Sequence, residues 1–279
     1  MNEYQTLDIA NDRGVCHVTI SNPPVNVMTT ALYQDLVAVT EELASDESIK
    51  VVVFQSADPD FFIAHFDVSL ILTFPAEGEA ERAEKLSPFH QMCERVRTMS
   101  KATIVKMAGR AGGGGNEFAA SCDMRFGVQG KTIINQMEVP LGILPGGSGT
   151  QRLPRLVGRG RAMEICLAGD DIDAETCERW GYLNRIFDCA ESMSDHVDAL
   201  ARRIAGWPSE AIALCKASIN NAELPIEEGL LEEAYLFQQT LRTEGAQRNM
   251  RRALEVGLQT REGESRMGQL ALDFIEATD

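Results

Sequence analysis

Residues 104–126 read IVKMAGRAGGGGNEFAASCDMRF, and the rest of the chain is organised around this stretch. It begins with the β-branched pair Ile104-Val105, which suits a buried strand. Four consecutive glycines, residues 112–115, then break the strand, and helix-forming residues follow from Asn116 onward. We therefore predict a strand, a tight glycine turn and a helix N-terminus whose backbone N–H groups face a ligand.

The residues after the glycines exclude two common phosphate-binding loops. A P-loop requires Lys and Ser or Thr after its last glycine, whereas Asn116 and Glu117 follow here. A dinucleotide fingerprint requires a third glycine or alanine where this chain has Glu117 or Phe118. A carbonyl that becomes an enolate is a better ligand, because backbone donors stabilise the developing charge while a nearby carboxylate moves a proton.

The composition is ordinary for a globular α/β protein, with 279 residues of which 44% are hydrophobic and 24% charged. A net charge of −16 argues against nucleic acid and membrane surfaces as partners. The first ten residues lack the basic start and apolar centre of a secretory signal, and no apolar run approaches the length of a membrane span. Seven cysteines without CxxC pairs indicate reduced thiols and a cytoplasmic protein, and four scattered histidines do not suggest a metal site.

Hydrophobic periodicity predicts an α/β core followed by helices, with a composition shift near Gly206 dividing residues 1–206 from a helical region at 207–279. The charged residues 75–86 favour a solvated loop or helix face over a mobile lid, and Thr150 is expected to cap the helix that follows it. Predicted strands lie at 7–9, 15–20, 51–54, 132–134 and 184–187, and predicted helices at 30–44, 88–100, 192–205, 209–222, 226–241, 248–256 and 268–276.

Several motifs occur in a fixed order along nearly the whole chain. They are NPPVNVM at 22–28, FIAHFD at 62–67, GRAGGGGNEFA at 109–119 followed by Cys122-Asp123, and Glu138 followed by LGILPGGSGTQRL at 141–153. Taken together, they resemble the crotonase (enoyl-CoA hydratase/isomerase) superfamily. The resemblance implies a spiral of strand-strand-helix units with helices that assist assembly into a homotrimer or a dimer of trimers. It also implies an acyl-CoA thioester substrate, with coenzyme A entering as part of that substrate and no metal or redox cofactor.

The resemblance also assigns roles to residues. The N–H groups of Phe66 and Gly114 are implied to hold the thioester oxygen as it becomes an oxyanion. Glu117 and Glu138 are implied to deliver and remove the protons of a water added across a double bond. Further residues implied to contact the substrate are Ala64, His65, Asp67 and Gly113.

Having both glutamates favours an enoyl-CoA hydratase, a lyase, over the isomerase, hydrolase and decarboxylase branches, several of which lack one. Without the resemblance, Glu117 reads as a stabiliser of a helix N-terminus and Glu138 as an ordinary loop carboxylate. The alternatives are an enoyl-CoA isomerase or other acyl-CoA enolate chemistry, and a non-catalytic acyl-CoA binder or oligomeric scaffold.

The chain departs from the superfamily pattern beside these residues. His65-Phe66 stands where many members have Gly-Ala, so His65 either shapes the pocket or adds an acid/base group. Asn116 and Met137, next to the glutamates, replace a frequent cysteine and a frequent proline. Candidates for binding the coenzyme A phosphates lie on one predicted helix, although a solvated helix face also explains them: Arg248, Arg251 and Arg252.

Overall fold

A computed structural model of the chain describes residues 3–207, 209–220, 237–238, 241–242, 244–270 and 273. None of the helices in those ranges combines the length and the apolar character that crossing a bilayer requires. Strands of the larger sheet are β1 (Leu7–Asp12), β2 (Val15–Ile20), β3 (Val51–Ser56), β5 (Ala102–Met107), β7 (Met124–Val128) and β10 (Arg185–Phe187). Strands of the smaller sheet are β4 (Phe61–Ile63), β6 (Arg110–Gly112), β8 (Ile133–Asn135) and β9 (Ile172–Asp173).

The strand order is β1-β2-β3-β5-β7-β10 in the larger sheet and β4-β6-β8-β9 in the smaller one. Only the outer pairs β1-β2 and β8-β9 are antiparallel among these strands, and the other neighbours pair in parallel. The helices are α1 (Thr30–Ser45), α2 (Val68–Ile71), α3 (Pro88–Thr98), α4 (Gly113–Ser121), α5 (Gly149–Val157), α6 (Arg159–Ala168), α7 (Ala174–Trp180), α8 (Ala190–Ala205), α9 (Ser209–Asn220), α10 (Glu244–Glu255), α11 (Arg261–Glu264) and α12 (Met267–Leu270).

Both faces of the larger sheet are covered, which explains the continuous apolar run in β3. Val52 and Phe54 point into a cluster that contains apolar residues of α1, α3 and α4. Val51 and Val53 point to the opposite face and pack with apolar residues of α8. Because strand side chains alternate in direction, a strand buried on both sides must be apolar throughout. The predicted α/β class is confirmed.

Most of the predicted elements before residue 206 are confirmed within a few residues, but three details were wrong. The central helix α4 begins at Gly113, three residues earlier than predicted, so most of the glycine run forms its first turn. Thr150 does not cap α5; Ser148 occupies the N-cap position and makes no side-chain cap bond. After residue 160, where the sequence predicts a strand only at 184–187, a further short strand, β9, pairs with β8.

The C-terminal helices pack against the central part of the chain. Met250 in α10 and Leu258 share an apolar cluster with Met137 and Leu141, which flank Glu138. Most of the predicted helix at 226–241 and the end of the one at 268–276 lie outside the described residues. The division at residue 206 stays a prediction. Residues 75–86 form a largely exposed loop between α2 and α3, as predicted.

Candidate active site

The carboxyl ends of three parallel strands place the predicted site residues side by side. β6 lies between β4 and β8 in the smaller sheet. Its register pairs Ile63 with Ala111 on one side and Gly112 with Asn135 on the other. Parallel strands end at the same edge of a sheet, so the residues that follow each strand meet there. Segment 64–67, the N-terminus of α4 and segment 136–138 therefore become neighbours.

The peptide between His65 and Phe66 has a fixed orientation. Met28 donates its N–H to the His65 carbonyl at 2.7 Å, and Asp67 donates to the Met28 carbonyl at 3.2 Å. The C=O and N–H of a trans peptide point in opposite directions. Since the His65 carbonyl points at Met28, the N–H of Phe66 points away from Met28.

Gly114 lies beside that amide. A Cβ built on Gly114 would be 3.5 Å from the Phe66 nitrogen and 3.0 Å from the Phe66 Cβ. Gly114 is the second residue of α4, so its N–H is among the first four that have no acceptor within a helix. Two neighbouring backbone donors of this kind can hold one oxygen that gains negative charge.

Gly113 shows why the run must be glycine. Its φ of +45° lies in the left-handed region, which disfavours any side chain. A Cβ there would also be 2.9 Å from Oε1 of Glu138 and 3.4 Å from the His65 Cβ. The missing side chain lets the backbone approach the carboxylate closely.

Glu117 is buried and held by main-chain donors. One turn along α4 from Gly113, it is 3% exposed. Its Oε1 accepts the N–H of Gly147 at 2.9 Å and that of Gly149 at 2.7 Å. Arg152 donates to Ser148 in the same loop at 2.9 Å, which helps to fix the loop. Two amide donors on a carboxylate stabilise its ionised form.

Glu138 accepts from a side-chain donor. Its Oε2 accepts a hydrogen bond from Nε2 of Gln136 at 3.1 Å. Oε1 of Gln136 accepts from Nδ2 of Asn116 at 2.6 Å, and Oδ1 of Asn116 accepts from the Tyr182 hydroxyl. We call Tyr182, Asn116 and Gln136 the amide relay; each member donates to the next, and Glu138 is the final acceptor.

The two carboxylates share one site. A Cβ on Gly149 would lie 3.0 Å from Oε1 of Glu117 and 3.1 Å from Nε2 of Gln136, the donor to Glu138. Glu138 is 8% exposed, so it is nearly as enclosed as Glu117. The structure thus brings together the four residues predicted from the sequence: Phe66, Gly114, Glu117 and Glu138.

His65 is buried and bonded at both ring nitrogens. Nδ1 lies 2.8 Å from the Phe66 carbonyl oxygen, and Nε2 bonds to Oε1 of Glu264 in α11. Burial alone disfavours the charged ring, but the Glu264 carboxylate, the Phe66 carbonyl and Glu138 outweigh it, so the pKa of His65 is raised. These contacts agree with a residue that shapes the site more than with one that exchanges protons with a substrate.

The other two residues predicted to contact substrate have structural contacts. The Ala64 carbonyl oxygen would be 2.5 Å from a Cβ on Gly112, which marks a close backbone approach. Asp67 caps α2 by accepting from Ser69 at 2.8 Å, and the same oxygen accepts from Nε2 of Gln259 at 2.7 Å. Their predicted contact with a substrate stays a prediction.

Sequence reasoning missed two parts of the site. The sequence does not predict Gln136, because a lone amide two residues before a glutamate carries no pattern. Phe89, at the start of α3, has its ring 6.0 Å from that of Phe66, and both pack with Tyr33. In the sequence, only the preceding Pro88 indicates that a helix begins next to Phe89. Three arginines considered for phosphate binding are exposed on α10, as a solvated face would be: Arg248, Arg251 and Arg252.

Comparisons with known proteins agree with this geometry. The family model described as enoyl-CoA hydratase/isomerase matches residues 10–259. A Mycobacterium bovis protein named "Probable enoyl-CoA hydratase echA8" is 30% identical, over 90% of this chain and 96% of its own length. The short-chain-enoyl-CoA hydratase of Clostridium acetobutylicum is 29% identical, over 87% of this chain and 92% of its own length.

Solved structures share the fold. The crystal structure of a candidate enoyl-CoA hydratase from Streptomyces avermitilis superposes with a TM-score of 0.87 at 36% identity, covering 98% of this chain and 99% of that one. The resemblance drawn from the motifs is thereby confirmed, as is the crotonase-like fold. The chain belongs to the enoyl-CoA hydratase/isomerase family, within the crotonase superfamily, and is an enzyme of that family.

Proposed function

We propose that this enzyme is an enoyl-CoA hydratase, which adds water across the 2,3 double bond of an enoyl-CoA thioester. One observation carries the proposal: two buried glutamates lie in one site beside a pair of backbone amides, and Gln136, the donor to Glu138, lies close to Glu117. The hydratases among the similar proteins support the same reaction. Coenzyme A enters as part of the substrate, and the reaction needs no metal or redox cofactor.

The amides of Phe66 and Gly114 bind the thioester oxygen. As water attacks C3, the electrons of the double bond move toward this oxygen and form an enolate. Donors that are already oriented stabilise the new charge without rearranging, and losing one such donor typically costs about 3 kcal/mol of barrier. Both donors belong to the main chain, so the exchange of Gly-Ala for His65-Phe66 leaves them in place.

The glutamates move the protons. Glu117, ionised and fixed by Gly147 and Gly149, accepts a proton from the attacking water as the C3–O bond forms. Glu138 donates a proton to C2 as the enolate collapses, which forms the C2–H bond. Glu117 ends protonated and Glu138 ionised, and transfer of one proton from Glu117 to Glu138 by way of water restores the starting state. We further propose assembly as a homotrimer or a dimer of trimers.

The test is a product analysis with two variants. Wild-type enzyme and crotonyl-CoA should yield a product heavier by one water. Glu117→Gln and Glu138→Gln should each lower kcat by about 10²–10⁴-fold, the usual contribution of a positioned acid or base. Glu164→Gln, at an exposed glutamate of α6, is the matched control and should keep wild-type activity.

Other outcomes separate the alternatives. A 3-enoyl-CoA converted with no change in mass would indicate an isomerase. An acyl-CoA that binds in calorimetry without turnover would indicate a non-catalytic binder. Unchanged rates in both glutamate variants would remove the proposed mechanism.

A further inference from the structure

An ion pair that the proposed mechanism does not use lies directly behind the Phe66 amide. His65 and Glu264 are 199 positions apart in sequence, and each is 2% exposed. Glu264 ends α11, a short helix of the C-terminal region. Burying two ionisable groups is costly unless they are paired, so their position needs a physical reason.

The hydrogen-bond partners define the charge of the ring. Nδ1 of His65 faces the carbonyl oxygen of Phe66, and Nε2 faces the carboxylate of Glu264. The Glu264 oxygen also accepts the N–H of Gln259 at 2.7 Å. A carbonyl oxygen only accepts, and so does the Glu264 carboxylate when it is ionised, so in the ion pair both ring nitrogens donate. His65 is therefore an imidazolium, with neither nitrogen left to act as a base.

Charged groups around the ring favour that state. Burial opposes the charge of the imidazolium, whereas the Glu264 carboxylate attracts it, and Glu138 attracts it as well once it has given up its proton. Arg110 of β6 lines the same small cavity as Glu264, and its guanidinium is bonded to Asp171 at 2.6 Å. The net effect of the ring's surroundings is a raised pKa for His65.

The ring also fixes the backbone. Met28 holds the peptide before Phe66 through the His65 carbonyl, and the His65 ring holds the peptide after it through the Phe66 carbonyl. Phe66 is thus restrained on both sides. The C-terminal segment adds a second contact, because Gln259 donates to Asp67 at 2.7 Å.

We propose that Glu264 is a positioning residue for the reaction: it holds His65 as an imidazolium whose ring fixes the Phe66 carbonyl and thereby keeps the Phe66 N–H beside Gly114. This inference rests on the proposed function, because it assigns Glu264 to the oxyanion-binding amides. It makes the C-terminal segment part of the site rather than only a cover for the core. Glu264 itself touches no substrate.

Nitrogen NMR of ¹⁵N-histidine-labelled protein tests the charge without any assay of activity. The chain has four histidines, and His65→Gln identifies the His65 signals by their loss. At pH 7.5 an ordinary histidine with a pKa of about 6.5 is mostly neutral. We expect both His65 ring nitrogens to be protonated in the wild type and in Glu262→Gln, an exposed neighbour in α11. A neutral His65 ring in the wild type would overturn the proposal.

Kinetics test the positioning role. Glu264→Gln should give a neutral ring and lower kcat for crotonyl-CoA by about 10-fold, with KM within about twofold, because a small displacement of a reacting geometry slows catalysis steeply. The double variant His65→Gln/Glu264→Gln should cost no more than the larger single change, because both act through one contact. A neutral ring with unchanged kcat in Glu264→Gln, or additive losses, would refute the role.

The two proposals fail in different ways. A wild-type protein that binds crotonyl-CoA but never hydrates it would refute the proposed function, while the ring spectrum would still decide the charge of His65. If Glu264→Gln does not fold, the wild-type spectrum decides the charge. His65→Gln, which removes the ring that bonds to the Phe66 carbonyl, then replaces it in the kinetic test and should lower kcat by about 10-fold with KM within about twofold. An unchanged kcat in that variant would refute the positioning role.

Discussion

The two glutamates of the site are held by different means. Glu117 accepts from the backbone of Gly147 and Gly149, whereas Glu138 accepts from Gln136 at the end of the amide relay. A main-chain donor survives any side-chain change that leaves the loop in place, but a side-chain donor is lost by one substitution. We infer that the position of the Glu117 carboxylate depends on the absence of side chains at Gly147 and Gly149. The position of the Glu138 carboxylate depends instead on the side chains of the amide relay.

The largest effect is expected from filling the space beside Glu117. A Cβ at Gly147 would lie 2.3 Å from Oε2 of Glu117 and 2.6 Å from Cε1 of Phe89. Gly147→Ala should therefore displace the carboxylate and lower kcat by about 10²-fold or more. Steady-state hydration of crotonyl-CoA measures it.

The control is another glycine-to-alanine change. Gly160 lies in α6 with no atom within 4 Å of a built Cβ, so Gly160→Ala should keep kcat and raise the free energy of unfolding by up to about 1 kcal/mol. Equal activity in the two variants would show that the position of Glu117 does not depend on that space.

Removing the donor to Glu138 should have the next largest effect. Gln136→Leu keeps the approximate volume but deletes the hydrogen bond to Oε2 and leaves Asn116 without its acceptor. Glu138 becomes charged as it gives its proton to C2, and a hydrogen bond to a charged group contributes about 1.5–3 kcal/mol, so we expect kcat to fall by roughly 10–100-fold. Gln129→Leu, at an exposed glutamine, is the control. A Gln136→Leu enzyme with wild-type kcat would mean that Glu138 is positioned without the relay.

A smaller effect is expected at the far end of the relay. Tyr182→Phe removes the hydroxyl that donates to Asn116. Asn116 and Gln136 both lie between this hydroxyl and Glu138 in the relay. Leaving a buried acceptor unsatisfied costs about 1–3 kcal/mol, so denaturant unfolding should show a loss of that size. The kcat should fall by less than about fivefold. A larger loss of activity than at Gln136 would contradict the order of the relay.

The smallest expected effect is a pH dependence of stability from the charge beside Glu138. The pKa of His65 is raised above its ordinary 6.5, so its contribution to stability is fully present below about pH 6.5 and is lost as pH rises through the raised value. The destabilisation caused by Glu264→Gln should be greater at pH 6 than at pH 9, because the charged ring that Glu264 holds is present at the lower pH. Unfolding curves at both pH values measure it, and a difference of the opposite sign would contradict the charged ring.

The sequence predicted which residues form the site better than it predicted where the central helix begins. Motif order predicted the residues that meet at the strand ends, because local glycines and short spacings determine where those strands stop. It did not predict the start of α4, because glycine has a poor helix propensity. The first turn is nevertheless built from glycines, since neighbouring backbone approaches it too closely for side chains to fit.

Contacts between distant residues could not be predicted. Tyr182 is 66 positions from Asn116, and Glu264 is 199 from His65. Neither pair carries a spacing pattern, because a side-chain hydrogen bond across the fold depends on tertiary packing. Such a contact bears on the alternative that the sequence leaves open for His65, because a ring bonded at both nitrogens favours the shaping role over an added acid/base group.

The central claim is that the amides of Phe66 and Gly114 bind one thioester oxygen between Glu117 and Glu138. The crystal structure of the Glu117→Gln variant with crotonyl-CoA tests it most directly. We predict the thioester oxygen within about 2.7–3.1 Å of both nitrogens, with residue 117 and Glu138 next to C3 and C2. A thioester bound elsewhere, or an oxygen that contacts neither amide, would contradict the account.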